Sequence, residues 1–87
     1  MLHPITIKEV KNQIGALVKT LRDRDGLTQE ELAEKLNLSR VTIQNLESGK
    51  NPTIETLLKV LQYFDLLDGL NNYIETEARN NRQQSLY

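Results

Sequence analysis

Between Leu27 and Gly49 the chain has room for two helices of about two turns each and almost nothing between them. Thr28 stands three residues before Glu31, a pair that can cap each other's backbone N–H at a helix start. Leu32, Ala33 and Leu36 then fall on one face. Asn37-Leu38 stops the helix, since Asn tolerates the left-handed conformation. Ser39 is a good cap for a second helix, in which Ile43 and Leu46 mark the buried side, and Gly49 closes it. The spacing predicts helices at about 29–36 and 40–48. Ala33 is small where two steeply crossing helices must touch, and Leu38 plugs the gap at the turn.

The rest of the chain reads as support for that pair. Val10, Ile14, Leu17, Val18 and Leu21 make one apolar stripe on a helix at about 7–24, ended by Gly26. Gly15 inside it costs about 1 kcal/mol against Ala, which makes sense only where another helix packs close. Pro52 and Thr53 set up a fourth helix at about 54–64 that buries Ile54, Leu57, Leu58, Leu61 and Phe64. Leu66, Leu67, Leu70, Tyr73 and Ile74 carry the pattern into a fifth, with Asp68-Gly69 as a possible interruption. The expected fold is all-α: an arm at 1–6, a five-helix domain at 7–75, and a polar, frayed, flexible tail at 76–87. No period-2 strand and no internal repeat is visible.

Composition narrows the function. A chain of 87 residues is one domain. With no Cys and one His, His3, a disulfide scaffold or a zinc site is not expected, and no cofactor is implied. The apolar runs are too short to span a membrane, and Met1-Leu2-His3-Pro4-Ile5 lacks the basic and apolar regions of a signal peptide. A cytoplasmic location is the default expectation. The formal net charge of −1 hides an asymmetry, because residues 1–50 carry eight basic against seven acidic residues and residues 51–87 carry three against five. Catalysis is not expected either: no nucleophile stands near His3, and Glu30 and Glu34 are neighbours on a solvated helix face.

Two short helices joined by a tight turn form a helix-turn-helix, here spanning 29–48, whose second helix enters the DNA major groove. The runs from Leu27 to Arg40 and from Leu46 to Leu57 resemble the Cro/repressor (XRE) class, over roughly the first four helices. That class commonly has Gly where this chain has Asn37. The resemblance implies a compact, lambda-repressor-like five-helix domain that binds double-stranded operator DNA, usually as a homodimer. Chain length and the Leu57–Gln62 helix also resemble HipB-type antitoxins, which repress their own operon and bind a kinase-like protein toxin.

With Ile43 and Leu46 buried, Arg40, Val41, Gln44, Asn45 and Ser48 face outward. Arg40 suits guanine, Gln44 or Asn45 suits adenine, and Val41 suits a thymine methyl. Thr42 lies on the same short helix. Helix starts at Gln29 and Ser39 offer free N–H groups to phosphates, and Lys50 and Asn51 follow the recognition helix. The resemblance adds a phosphate-holding role for Gln29 and a structural ion pair between Arg22 and Glu47. The candidate dimer surface is Phe64, Leu66, Leu67, Leu70, Tyr73 and Ile74, whose alternative place is the core. The leading expectation is a dimeric, sequence-specific repressor that blocks polymerase from a palindromic operator. The alternatives are an antitoxin and a protein-interaction module that has lost DNA binding.

Overall fold

A computed structural model describes residues 3–85. Five helices follow one another: α1 (Ile7–Arg24), α2 (Gln29–Leu36), α3 (Arg40–Glu47), α4 (Ile54–Tyr63) and α5 (Leu67–Ser85). Among the described residues there is no strand. Each of the first four helices is started by a hydroxyl side chain accepting from the backbone N–H three residues on: Thr6, Thr28, Ser39 and Thr53. Thr28 and Glu31 complete a reciprocal capping box.

The same four helices end in one way. The chain turns into the left-handed region at Gly26, Asn37, Gly49 and Asp65. The next N–H then reaches back to the last turn, as from Leu38 to the Ala33 carbonyl at 2.8 Å. Asn37 (φ 56°) and Asp65 (φ 61°) hold this conformation without being glycine, which the short polar side chains of Asn and Asp permit.

The core is Val18, Leu32, Ala33, Ile43, Leu46, Val60 and Phe64. Ile14, Leu21, Leu27, Leu36, Leu38, Leu57 and Leu66 pack around it. Helix α3 is held between α1 and α2, while α4 touches α2 and α5. Leu32 and Ile43 are completely buried, so the contact between α2 and α3 lies at the centre of the molecule.

Several expectations change. In α4 the inward line is Thr56, Val60 and Phe64, at i, i+4 and i+8. Ile54, expected inside, sits at the first helical position and is 75% exposed. Phe64, expected among the residues buried by the fourth helix and named also for a dimer surface, is 7% exposed and belongs to the core. Val10 and Leu17 are half-exposed, because α1 turns Val18 and Arg22 inward instead. Asp68 and Gly69 lie inside the first turn of α5 and do not interrupt it. The helix continues through 76–85, where the composition pointed to a frayed tail. The described part of the arm, His3–Ile5, is exposed and non-helical, while Met1, Leu2, Leu86 and Tyr87 lie outside the described residues.

Candidate nucleic-acid interface

Helix α3 is eight residues long and anchored along one side by Ile43 and Leu46. Its other side is open. Arg40, Val41, Gln44 and Ser48 are exposed, with Val41 at 56%. An exposed β-branched apolar residue between an Arg and a Gln gives this face a cation, a methyl surface and an amide. Those are the groups that read guanine, thymine and adenine edges. Arg40 has no carboxylate partner among the described residues, so its guanidinium fork is available.

The other residues expected on this face are placed differently. Thr42 is half-buried, and its hydroxyl meets the Ser39 hydroxyl at 2.8 Å. Asn45 is half-buried as well. Ser39 uses its oxygen on the Thr42 N–H at 3.1 Å. The Ser48 hydroxyl is turned back to the Gln44 carbonyl at 2.9 Å. That leaves Arg40, Val41 and Gln44 as the side chains both exposed and unspent at the N-terminal half of α3.

Behind α3 lies a buried polar cluster. Arg22 Nε donates to Glu47 Oε2 at 2.7 Å and Arg22 Nη2 to Glu47 Oε1 at 2.9 Å. Arg22 Nη1 donates to the Leu27 carbonyl at 2.9 Å. The two side chains are 10% and 6% exposed. Gln29 Nε2 donates to the same Glu47 Oε1 at 3.0 Å. Burial pushes the Glu47 carboxyl up. The hydrogen bonds from Arg22 and Gln29 outweigh that and hold it below the ordinary carboxylate range. The hydrogen bond from Arg22 to Glu47 raises the Arg22 guanidinium. One carboxylate thus joins the end of α1, the start of α2 and the end of α3.

This cluster bears on Gln29, expected to hold a phosphate. Its carboxamide nitrogen is directed inward to Glu47, and its backbone N–H, at the first position of α2, is the donor that faces away from the helix. The Gln29–Glu47 contact itself was not foreseen, and nothing in the spacing of the two residues signals it.

Helix α1 also grips the far end of α3. A Cβ on Gly15 would lie 2.5 Å from the Glu47 carbonyl oxygen and 2.7 Å from that of Leu46. Gly15 is therefore where α1 and the last turn of α3 touch backbone to backbone. One turn earlier, Asn12 lies against Gly49, where an added Cβ would collide with its Oδ1. Beside it, Lys11 Nζ donates to Asn51 Oδ1. Lys50 and Asn51, both exposed, follow directly on the chain.

Of the candidate dimer residues, Leu66, Leu67 and Leu70 are half-buried, while Tyr73 and Ile74 are 65% and 54% exposed. Leu67, Leu70 and Ile74 share a shallow groove of about 320 Å³ with Leu58 of α4. Among the described residues no helix is long and apolar enough to cross a membrane.

A helix-turn-helix with an open recognition face and a buried ion pair at its back defines the class, and comparison with known proteins places the chain in it. The helix-turn-helix family model matches residues 18–68, so the chain belongs to that family. It is 33% identical over 75 residues to antitoxin HipB of Escherichia coli K12, covering 85% of both chains. It is 42% identical over 72 residues to the HTH-type transcriptional activator BcrR of Enterococcus faecalis. That match takes in 74% of this chain and 35% of BcrR. A third relative is an uncharacterized HTH-type transcriptional regulator of Archaeoglobus fulgidus, 41% identical over 49 residues, or 55% of this chain and 70% of that one.

Proposed function

We propose that this chain is a sequence-specific DNA-binding transcriptional regulator that inserts α3 into the major groove as a homodimer on a palindromic operator. One observation carries the reading. Arg40, Val41 and Gln44 stand exposed on a short helix whose opposite side is locked into the core by Ile43 and Leu46. A helix end held rigidly and offering a bidentate cation, an apolar surface and an amide is suited to base edges. The backbone N–H of Gln29 and the side chains of Lys50 and Asn51 flank it as phosphate contacts, which set register without reading sequence. Repression follows sterically, since an occupied operator excludes polymerase.

A second reading is favoured by a specific observation. The match to antitoxin HipB runs over 85% of both chains, beyond the helix-turn-helix itself. On that reading the chain autoregulates its operon through α3 and engages a kinase-like protein toxin through another face. The two readings share the DNA step and differ in whether a second protein is bound.

The test is selection of random-sequence duplexes by the purified chain near physiological salt, where non-specific phosphate binding is already weakened. A palindrome with half-sites about one turn, roughly 34 Å, apart supports the dimeric regulator. Recovery of no sequence by folded protein overturns it. Co-purification with the product of the adjacent gene separates the antitoxin from the free-standing repressor.

A further inference from the structure

Three residues on one side of α1 meet the segment that leaves the recognition helix. Gly15 touches the last carbonyls of α3, Asn12 sits against Gly49, and Lys11 bonds Asn51. The Gly15 contact fixes the α1 backbone against the end of α3, and Asn12 and Lys11 reach the following loop through their side chains. Gly49 is held at φ 79° and Pro52 follows Asn51, so the segment itself has little freedom.

The chemistry of the contact is one-sided. Asn51 uses its carbonyl oxygen on the Lys11 ammonium, which turns the Asn51 NH₂ away from Lys11. An ammonium has three donors and no acceptor; one is spent on Asn51 and two remain. Lys50, exposed and with no carboxylate partner among the described residues, adds a further cation next in sequence to Asn51. The Asn51 NH₂, the remaining Lys11 protons and the Lys50 ammonium are all donors. Donors only, two of them on cations carried by α1 and by the loop it contacts, fit an anionic oxygen ligand. Next to the end of a recognition helix that ligand is a backbone phosphate.

We infer that Lys11, from the first helix, forms a DNA-phosphate site with Asn51 and Lys50 and extends the contact surface beyond the helix-turn-helix. This rests on the DNA-binding reading above. The competing role is a plain staple, in which the Lys11–Asn51 bond only ties α1 to the loop. A staple affects folding, while a phosphate contact affects the salt dependence of binding.

The experiment measures affinity of the full chain for its selected duplex across a salt series, for wild type, Lys11→Gln and Lys11→Arg, with melting temperatures alongside. Each phosphate neutralised contributes about 0.9 to the slope of log affinity against log salt. Lys11→Gln is expected to lower the slope by about that amount and to weaken binding roughly five-fold near physiological salt. Lys11→Arg should keep the slope. An unchanged slope in Lys11→Gln overturns the inference, whether or not its melting temperature drops. If that variant unfolds, wild-type protein is tested on duplexes with one uncharged methylphosphonate at successive positions. A charge-loss site adjoining the Lys50 contact is then expected, and its absence is the contrary result. If wild type binds no duplex in a salt-dependent way, the DNA-binding reading itself fails, and the inference with it. The wild-type series therefore separates the two failures.

Discussion

Glu47 receives two parallel hydrogen bonds from the Arg22 guanidinium, at 2.7 and 2.9 Å, from a residue 25 positions earlier in the chain. The fork geometry is the strong form of this contact. Both side chains are almost out of water, so each depends on the other for its partner. Breaking a buried pair by removing one member costs about 3–5 kcal/mol, because the other charge is left uncompensated. Arg22→Ala is therefore expected to lower the urea unfolding free energy by about that amount. Lys at this position keeps the charge but loses the fork, and should fall between Ala and wild type. An unchanged melting temperature in Arg22→Ala would remove the pair from the account of stability.

The same carboxylate sets an acid limit. Its folded pKa lies below its ordinary value because the Arg22 and Gln29 hydrogen bonds outweigh the opposing effect of burial. A depressed carboxylate contributes stability that is complete above its unfolded pKa, about 4.3. That stability is lost as pH falls toward the folded value. The gap in unfolding free energy between wild type and Glu47→Gln should thus be widest near neutral pH. It should narrow as pH drops below about 4.3. Chemical denaturation of both proteins across that range checks the sign, and a gap that widens toward acid contradicts it.

Gly15 gives a prediction that opposes helix propensity. In an exposed helix Gly→Ala gains about 1 kcal/mol. Here the new methyl meets backbone oxygens of Leu46 and Glu47 at 2.7 and 2.5 Å, which cannot rotate away as a side chain would. Overpacking of this kind costs about 1–3 kcal/mol. Gly15→Ala is expected to be destabilised and to weaken DNA binding, since the displaced atoms are the last turn of the recognition helix. A more stable Gly15→Ala protein would show that α1 and α3 have slack between them.

What the sequence disclosed followed from which signals were local. Thr28 with Glu31, Ser39, Asn37 and Gly49 all act within four residues, so the bounds of α2 and α3 could be read to within a residue. The small Ala33 at the crossing was legible for the same reason. The inward face of α4 was not. Ile54, Leu57, Leu58 and Leu61 form one apolar stripe, while the buried line runs beside it and begins at a polar residue, Thr56. Periodicity centres the inward face on the apolar stripe and does not count a Thr as inward. Arg22 and Glu47 are charged types that composition assigns to the surface, and a family resemblance was the only pointer to their pairing. The inward turn of Gln29 and the grip of Lys11 on Asn51 are contacts across 18 and 40 residues, and no spacing rule reaches that far. Gly15 was the one local mark of such a contact, a residue poorly suited to a helix unless something packs on it.

Arg40 tests readout apart from folding. It is exposed and has no carboxylate partner among the described residues, so Arg40→Ala should leave the melting temperature within a degree or two. A bidentate base contact is worth about 1–3 kcal/mol of discrimination. Repeating the duplex selection with Arg40→Ala is expected to blur one position in each half-site and leave the others sharp. A uniform loss of affinity across all sequences would make Arg40 a phosphate contact instead.

The proposed dimer surface on α5 is open to a direct test. With Phe64 in the core, the exposed part of the apolar set is Tyr73 and Ile74, beside half-buried Leu67 and Leu70. Full burial of one such side chain is worth about 1.5–3 kcal/mol, and a carboxylate placed there would have to be buried without a partner. Ile74→Asp is therefore expected to fold normally, since Ile74 is 54% exposed in the single chain, while its self-association weakens at least about ten-fold. Sedimentation equilibrium of the two proteins at micromolar concentration measures this. On a palindromic duplex the variant should lose affinity, while on a single half-site it should match wild type. A wild-type chain that stays monomeric alone and on the palindrome would overturn the dimer, and an Ile74→Asp protein that associates like wild type would move the dimer contact off this face of α5.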